Sequence, residues 1–579
     1  MEDIAQKIKL AVKKAWDITP DDLVLSSVPE NQQGDLATNV AMTLARKLRR
    51  SPKEIATKIV DLLNANEDDF TAIVAGNGFI NLSFSGQQLL ARLQQAWRSD
   101  YGNNEDGKGK KALIEFPSTN IAKPYSVGHL RPGTQGWAAK MLYEACGYHV
   151  ITDNHLGDTG TPFGVWAIGF LKSGKALNDI TIYDLGDIYI KTKKALKDEA
   201  EAGKHELADA VQDWLLKLEA KDPEATKLYR SFYDISMKHT HDVMARLGIS
   251  TDYELGESNF VTRGKNLIKK YLKAGIFTKN ADGSIVCRLD DYGIDVPILL
   301  QKSNGAALYA TTDLGCLDYR AKVMQIDEAV YAVGAEQKFY FEQLFALGKK
   351  LHYPQHNIHL YFGTIDQVDD SGKRAKMSSR KGVVLMEDML NDAERRVRAN
   401  FRGDKLSDAD VNKIAVGAIK FSDFIADRKT GILYDPDKIF ALSGFSGPFC
   451  QYAAVRLGRI LAKAAETDTK ANKTAPVKTL APLPATSSAY DANPEKPIAL
   501  LLLDFPNVVR RACEKLDAHQ VAVYAFTLAQ ALNRYYEQAS ILSAPSPEIK
   551  ALRLDLVKKA HFVLVRALSL LGVEVPSQM

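Results

Sequence analysis

The chain holds 579 residues, enough for about three to five domains at ~100–200 residues each. Charged residues make up 25% and hydrophobic ones 46%, the balance of an ordinary globular protein and not of a disordered or fibrous one. The net charge of +4 excludes a nucleic-acid role carried by bulk charge, so any such role needs a local basic surface.

In chain order, MEDIAQKIKLAVKKAW opens as an amphipathic helix and lacks the apolar stretch of a secretory leader. Ser51-Pro52-Lys53-Glu54 is a helix start, with serine at the cap, proline in the first turn and glutamate closing a capping box. GNGFINLSF (76–84) predicts a glycine turn and then a strand, and SDYGNNEDGKGKK (99–111) a linker. Residues 1–108 are therefore expected to form an N-terminal α/β domain.

From 109 to 385, short apolar runs alternate with helical patterns: ALIEF (112–116), HVITDN (149–154), AVYAVG (329–334) and HLYFG (359–363). Such alternation predicts an α/β domain with a parallel sheet. The acidic, lysine-rich stretch near 175–225 and the segment around 265–300 are expected as insertions, the second with hairpin character. From 386 to 579 the pattern is helical and predicts an all-α domain. It is interrupted at 467–497 by an Ala-, Pro-, Thr- and Lys-rich segment expected to be flexible. The longest apolar run, IALLLL (498–503), is too short to span a bilayer. Cys146, Cys287, Cys316, Cys450 and Cys513 form no C-x-x-C pair, so no structural zinc site or disulfide framework is expected. The reading is a soluble, cytoplasmic protein.

Two segments carry chemistry. In AKPYSVGHLRPG (122–133), a strand leads through Gly128 and His129 into a helix whose first turn holds Pro132. A helix mouth offers unpaired N–H groups to an anion, glycine admits a ligand to the backbone, and the imidazole can donate to phosphate. On its own this pair reads equally as a glycine turn beside a solvent-facing histidine. In SGKRAKMSSRKG (371–382), basic residues crowd a loop that ends in glycine, suited to neutralising a polyphosphate or, alternatively, to lying solvated. Both border the same α/β domain, where ligands bind beyond the carboxyl ends of the strands. Together they point to nucleotidyl transfer.

At these residues the chain resembles the class I aminoacyl-tRNA synthetases, and in particular the arginyl-tRNA synthetases. SVGH (126–129) is similar to the H-x-G-H signature and KMSSR (376–380) to the K-M-S-K-S loop. EFPSTNIAKPYSVGHLR (115–131), NHLGDTGTPFG (154–164), LYATTDLG (308–315), YAVGAEQKFYFEQLF (331–345), SGPFCQYAAVRL (446–457) and GVEVPSQM (572–579) resemble segments of the arginine enzymes. The N-terminal segments GDLATNVAMTLARKL (34–48) and AGNGFINLSF (75–84) resemble that family's N-terminal domain.

The resemblance implies a Rossmann-like catalytic domain, an anticodon-binding helix bundle, and ligation of L-arginine to its cognate tRNA through an arginyl-adenylate formed from ATP. It implies catalytic roles for His129, Lys376, Ser126 and Lys381, with Arg380 in support. ATP contacts fall on Gly128, His129, Lys376, Met377, Ser378 and Ser379. Arginine contacts fall on Glu115, Asn120, Tyr309, Asp313 and Gln337, and tRNA contacts on Tyr452, Arg456, Tyr536 and Met579. Mg²⁺ is expected only with ATP, on phosphates and water, with no resident metal. The expected partners are tRNA(Arg), L-arginine and ATP, with no membrane, and the expected state is a monomer. Elementary chemistry agrees on the pocket: a guanidinium calls for a carboxylate, and Tyr309 and Asp313, four apart, share one face of a helix.

The sequence departs from the family pattern at Ser126, where the signature has histidine, at Thr119, where proline is usual, and at Asn77. Ser126 is expected to reach phosphate through water. Two other readings remain open: a tRNA-binding relative that does not charge, and a small-molecule nucleotidyltransferase using the same strand–H-x-G-H–helix device.

Overall fold

The computed structural model describes residues 2–20, 23–28, 32–65, 70–368, 373–377, 384–401, 405–471 and 494–579. Two compact units emerge. One comprises Met1–Asn103, Tyr452–Arg511 and Val523–Ala567, and the other Asn104–Gln451, Ala512–Ala522 and Leu568–Met579.

The first unit opens with four antiparallel strands in the order Ser26–Ser27, Leu36–Thr38, Phe79–Ser83, Thr71–Ala75. Helices Glu2–Trp16, Val40–Leu48, Pro52–Asn64 and Gly86–Ala96 accompany this sheet. The capping box at Ser51 forms as its sequence requires: Glu54 N–H donates to Ser51 Oγ at 3.3 Å and Ser51 N–H to Glu54 at 3.4 Å. Among the described residues, helices Gly447–Ala471, Lys496–Lys515, His519–Gln538 and Pro547–Leu570 make up most of the remainder of this unit.

The second unit is built on a four-stranded parallel sheet. Its strands are β1 (Lys111–Glu115), β2 (His149–Asp153), β3 (Glu328–Tyr331) and β4 (His356–His359), in the order β4-β3-β1-β2. Helix α1 (Leu130–Ala145) connects β1 to β2, and α2 (Tyr309–Tyr319) precedes β3. Helix α3 (Lys338–Lys350) joins β3 to β4. Strand β4 sits earlier than the apolar run 359–363 suggested. Its ladder runs through the polar His356 and Asn357, while Phe362 has left it to bridge Gly334. Two further strands, β5 (Ile365–Val368) and β6 (Arg374–Lys376), pair antiparallel just beyond β4.

The stretch near 175–225 folds as helices Ile182–Glu201 and Glu206–Glu219, leading into Pro223–Arg246. With Thr161–Ser173 they bury Phe163, Trp166, Leu185, Trp214 and Phe232. Its charges are the outward faces of these helices, and the apolar positions at helical spacing face in. The expected hairpin forms from Ile285–Leu289 and Ile294–Gln301. Helices Met386–Asn400 and Asp408–Ser422 follow, and the C-terminal tail packs onto the second of them. Asp410 accepts hydrogen bonds from Ser577 N–H and Oγ, each at 2.7 Å, and Lys420 Nζ donates to Gly572 O at 2.9 Å. Most of the segment 467–497 lies outside the described residues.

Candidate functional site

The site assembles beyond the carboxyl ends of β1 to β4, where an open parallel sheet places its ligands. Between β1 and α1 the chain makes a short 3₁₀ turn, Val127–His129. Ser126 N–H donates to His129 Nδ1 at 3.1 Å, and Ser126 Oγ lies 3.3 Å from the same nitrogen. With Nδ1 accepting, the neutral ring carries its proton on Nε2. Burial, with Lys123 adding to it, pulls the imidazole down to about 4. His129 is thus a neutral donor at physiological pH and not a cation. Ser126 serves the imidazole directly, holding its tautomer and orientation.

The same turn is tied to the far side of the basic loop. Val127 N–H donates to Val384 O and Met386 N–H to Tyr125 O, both at 3.0 Å. Met377, just past β6, packs into the cluster containing Tyr125, Val127 and Leu130. Its N–H donates to Ile365 O at 2.9 Å. Val127 of the Gly-His turn and Met377 at the end of β6 therefore share one hydrophobic cluster. The Lys376 side chain and residues Ser378, Ser379, Arg380 and Lys381 lie outside the described residues.

A second cluster lies across the strand ends. Glu115, the last residue of β1, is ion-paired to Arg320 at 2.6 Å, and Asp153, the last of β2, to the same guanidinium nitrogen at 3.0 Å. Arg320 opens a π-helical turn after α2 and is fully buried, as are both acids. Asp313 on α2 accepts from the Tyr340 hydroxyl, and its Oδ1 lies 3.9 Å from His155 Nε2. Burial raises the Asp313 carboxyl above the ordinary range. Glu257 accepts from Thr159 Oγ1 at 2.7 Å, and burial pushes its carboxyl up to about 7. Tyr309, at the start of α2, stands 70% exposed; Glu257 and Asp313 act on its hydroxyl electrostatically, as they do on each other. Tyr309 and Asp313 thus open one helix face onto an acidic hollow.

Among the described residues, Glu115, Asp153 and His155 are the one group spaced like metal ligands. Arg320 already occupies both carboxylates, so these residues do not suit a resident metal ion. Asn120 and Gln337 stand exposed near the same rim, Asn120 bridged to Gly157 and Gln337 capping α3. In the first unit, Tyr452 and Tyr536 are 38% and 42% exposed, and the Arg456 guanidinium lies 3.5 Å from the centre of the Tyr536 ring. Those three make one basic, aromatic face. Met579, in the second unit, packs against the Tyr125 cluster.

His155, Glu257, Arg320 and Tyr340 were not singled out by sequence reasoning. His155 and Tyr340 sit inside segments that carried the resemblance, so a signal existed for them. Glu257 and Arg320 have no local pattern that marks them.

The sequence is similar to known proteins from end to end. The model for the catalytic domain of class I (R) tRNA synthetases matches residues 92–435, the DALR anticodon binding domain 450–579, and the arginyl tRNA synthetase N-terminal domain 2–84. The arginine–tRNA ligase of Streptococcus equi subsp. equi (strain 4047) is 33% identical over 569 residues, covering 96% of each chain. That of Lactococcus lactis subsp. lactis (strain IL1403) is 30% identical, covering 100% of this chain and 99% of its own. The Thermus thermophilus arginyl-tRNA synthetase structure superposes with a TM-score of 0.82 at 23% identity, covering 100% of both chains, a likeness of fold. With the catalytic-domain model matched over residues 92–435, the parallel sheet and its Gly-His turn are those of a class I aminoacyl-tRNA synthetase. Within that class, the chain belongs to the arginyl-tRNA synthetase family.

Proposed function

We propose that the hollow at the strand ends is where this chain activates L-arginine with ATP and passes it to its tRNA. The overall reaction joins arginine to tRNA(Arg) and releases AMP and pyrophosphate. The arginine carboxylate, ionised at neutral pH, attacks the α-phosphorus, and no general base is required. The protein's work is then positioning and charge stabilisation.

The observation that carries the reading is Asp313. It is a shielded carboxylate beside Tyr309 and Tyr340, with Glu257 acting on it. A substrate guanidinium would take Asp313, with Glu257 and Tyr309 alongside. Asn120 and Gln337 would hold its α-amino and carboxylate end. Glu115 acts there through its bond to Arg320.

At the other side, Gly128 lets the nucleotide approach the backbone and His129 Nε2–H donates to a phosphate oxygen. Lys376, Lys381 and the 377–379 segment close over the phosphates. Mg²⁺ arrives with ATP, held by phosphate and water. Tyr452, Arg456 and Tyr536 offer stacking surfaces to unpaired anticodon bases, and residues 1–108 the contact to the tRNA outer corner. Among the described residues no helix is long and apolar enough to cross a membrane. We place the protein in the cytoplasm as a monomer.

The test is pyrophosphate exchange with arginine, ATP and cognate tRNA, followed by aminoacylation. Exchange and charging are expected with arginine alone among the amino acids. Binding of tRNA without exchange would instead identify a non-charging relative.

A further inference from the structure

His155 is the residue of the acidic hollow that the reading above leaves without work. It follows Asn154 directly after β2, its side chain is only 11% exposed, and its ring is stacked near Phe260 at 5.8 Å. Both ring nitrogens are buried, and neither has a hydrogen-bond partner among the described residues. A buried polar atom left unpaired is costly, so such a ring points to an interaction completed by charge or by a ligand.

The charges facing it can be counted. Glu115 faces it from β1, Asp153 from the end of its own strand, and Asp313 from α2. Glu257 faces it from the 3₁₀ turn before Phe260. Against these, among the described residues, stands one cation, Arg320, already paired to Glu115 and Asp153. Ligand-capable atoms of Glu115, Asp153 and His155 all lie within 4.8 Å of one another, and Asp313 Oδ1 is 3.9 Å from Nε2. Among the described residues, Arg320 is paired to Glu115 and Asp153 and not to Asp313, which has no guanidinium of its own.

We propose that His155 is the resident counter-ion of the amino-acid pocket: its imidazolium stands against Asp313 in the absence of substrate, and it gives up its proton when a guanidinium takes that carboxylate. The inference rests on the arginine reading and deepens it. The carboxylates raise the imidazole's affinity for its proton and outweigh both its burial, the largest single influence, and Arg320. An arriving guanidinium adds positive charge within a few ångströms and reverses that balance, since like charges disfavour each other at this range. The proton leaves to solvent, and the pocket exchanges one cation for another. A neutral side chain of the same length cannot drive this exchange. His155 thus sets a charge requirement, apart from any shape requirement, for entry into the pocket.

The experiment is ¹⁵N NMR of the full chain labelled only at histidine, near pH 6.5. His155→Asn identifies the resonance. L-citrulline, which replaces the guanidinium by an uncharged urea, serves as the neutral probe. We expect an imidazolium signal in the free protein that becomes neutral imidazole on saturation with L-arginine and stays charged with L-citrulline. Calorimetry of Glu257→Gln in two buffers of different ionisation heat, which silences the proton that Glu257 itself gives up to a guanidinium, provides an independent readout should His155→Asn fail to fold. Net proton release with arginine and none with citrulline is expected. A ring that is neutral in both states, or charged in both, overturns the inference, as does arginine binding with no proton released. No arginine binding of any kind would instead sink the arginine reading itself.

Discussion

The two corners of the cleft handle charge in opposite ways under the same physical pressure. At the Gly-His corner, burial strips His129 of its proton down to about 4 and leaves a neutral donor. In the acidic hollow, burial pushes Asp313 upward and Glu257 to about 7, so an ionised carboxylate there needs a cation beside it. In each case the low-dielectric setting disfavours the charged form of the resident group. The ligands complete the charge: anionic phosphates at one corner, and at the other a guanidinium that takes the place of the His155 imidazolium. That arrangement suits catalysis by preorganised dipoles, because little must reorganise as the reaction proceeds.

The contrast is broken most severely at Asp313. Asp313→Ala removes the carboxylate that a guanidinium needs and leaves a buried cation unpaired in the complex, a loss of ~3–5 kcal/mol or roughly 10²–10⁴-fold in arginine kcat/KM. Affinity for tRNA should stay within about twofold, as measured by filter binding alongside pyrophosphate exchange. A variant that still exchanges with arginine at the parental rate contradicts the pocket. His129→Ala comes next, with a loss of ~10²–10³ in rate from removing one preorganised donor. Because the imidazole is neutral above about 4, the parental pH profile should show no break at the ordinary histidine value of 6.5 from this residue. A stability effect follows with a definite sign. Between about 4 and 6.5 the unfolded chain binds the His129 proton and the folded chain does not, so this residue's contribution to stability falls as pH drops through that window.

What the sequence reveals of these corners divides along chain distance. Tyr309 and Asp313 were legible because four residues on a helix fix their common face. The turn into α1 was legible from Gly128 and Pro132, and the parallel sheet from the alternation of apolar runs with helices. The ion pairs of Arg320 were not: its partners Glu115 and Asp153 lie on two other strands and meet it only because β1 and β2 are neighbours in register. Glu257 reaches the hollow from a 3₁₀ turn that no periodicity announces. Met579 was marked by the resemblance alone: the tail bonds to Asp410 that set it beside an apolar cluster join residues far apart in the chain. Ser126 was noticed as a departure, but its bond to His129 depends on loop dihedrals that composition does not encode.

Glu257 sharpens the contrast through pH. Its carboxyl titrates near 7, so a guanidinium finds it protonated in mild acid and ionised in mild base. Arginine KM should therefore fall as pH rises from 6 to 8, and Glu257→Gln should flatten that component and raise KM at pH 8 by roughly tenfold, the scale of one charge-assisted bond. The stability sign is opposite to that of His129. The folded chain holds this proton between 4.5 and about 7 while the unfolded chain does not, so the contribution is full below 4.5 and is lost as pH rises through 7. Urea unfolding of the parent and Glu257→Gln across that range checks it: a parent whose stability responds to pH no differently from the variant contradicts the titration.

The smallest effect is expected where the sequence looked most irregular. Ser126 Oγ is one of two groups on His129 Nδ1; the other is the residue's own backbone N–H, which no substitution but proline removes. Ser126→Ala therefore loses one ordinary hydrogen bond, about 0.5–1.5 kcal/mol or roughly two- to tenfold in kcat, with arginine KM unchanged. The backbone bond alone keeps Nδ1 an acceptor and Nε2–H aimed outward. Were Ser126 instead a phosphate ligand in its own right, Ser126→Ala would raise the KM for ATP and leave the geometry of His129 untouched. Steady-state kinetics with varied ATP separates the two, because a tautomer-holding residue acts on the rate of the chemical step and a phosphate ligand acts on nucleotide binding.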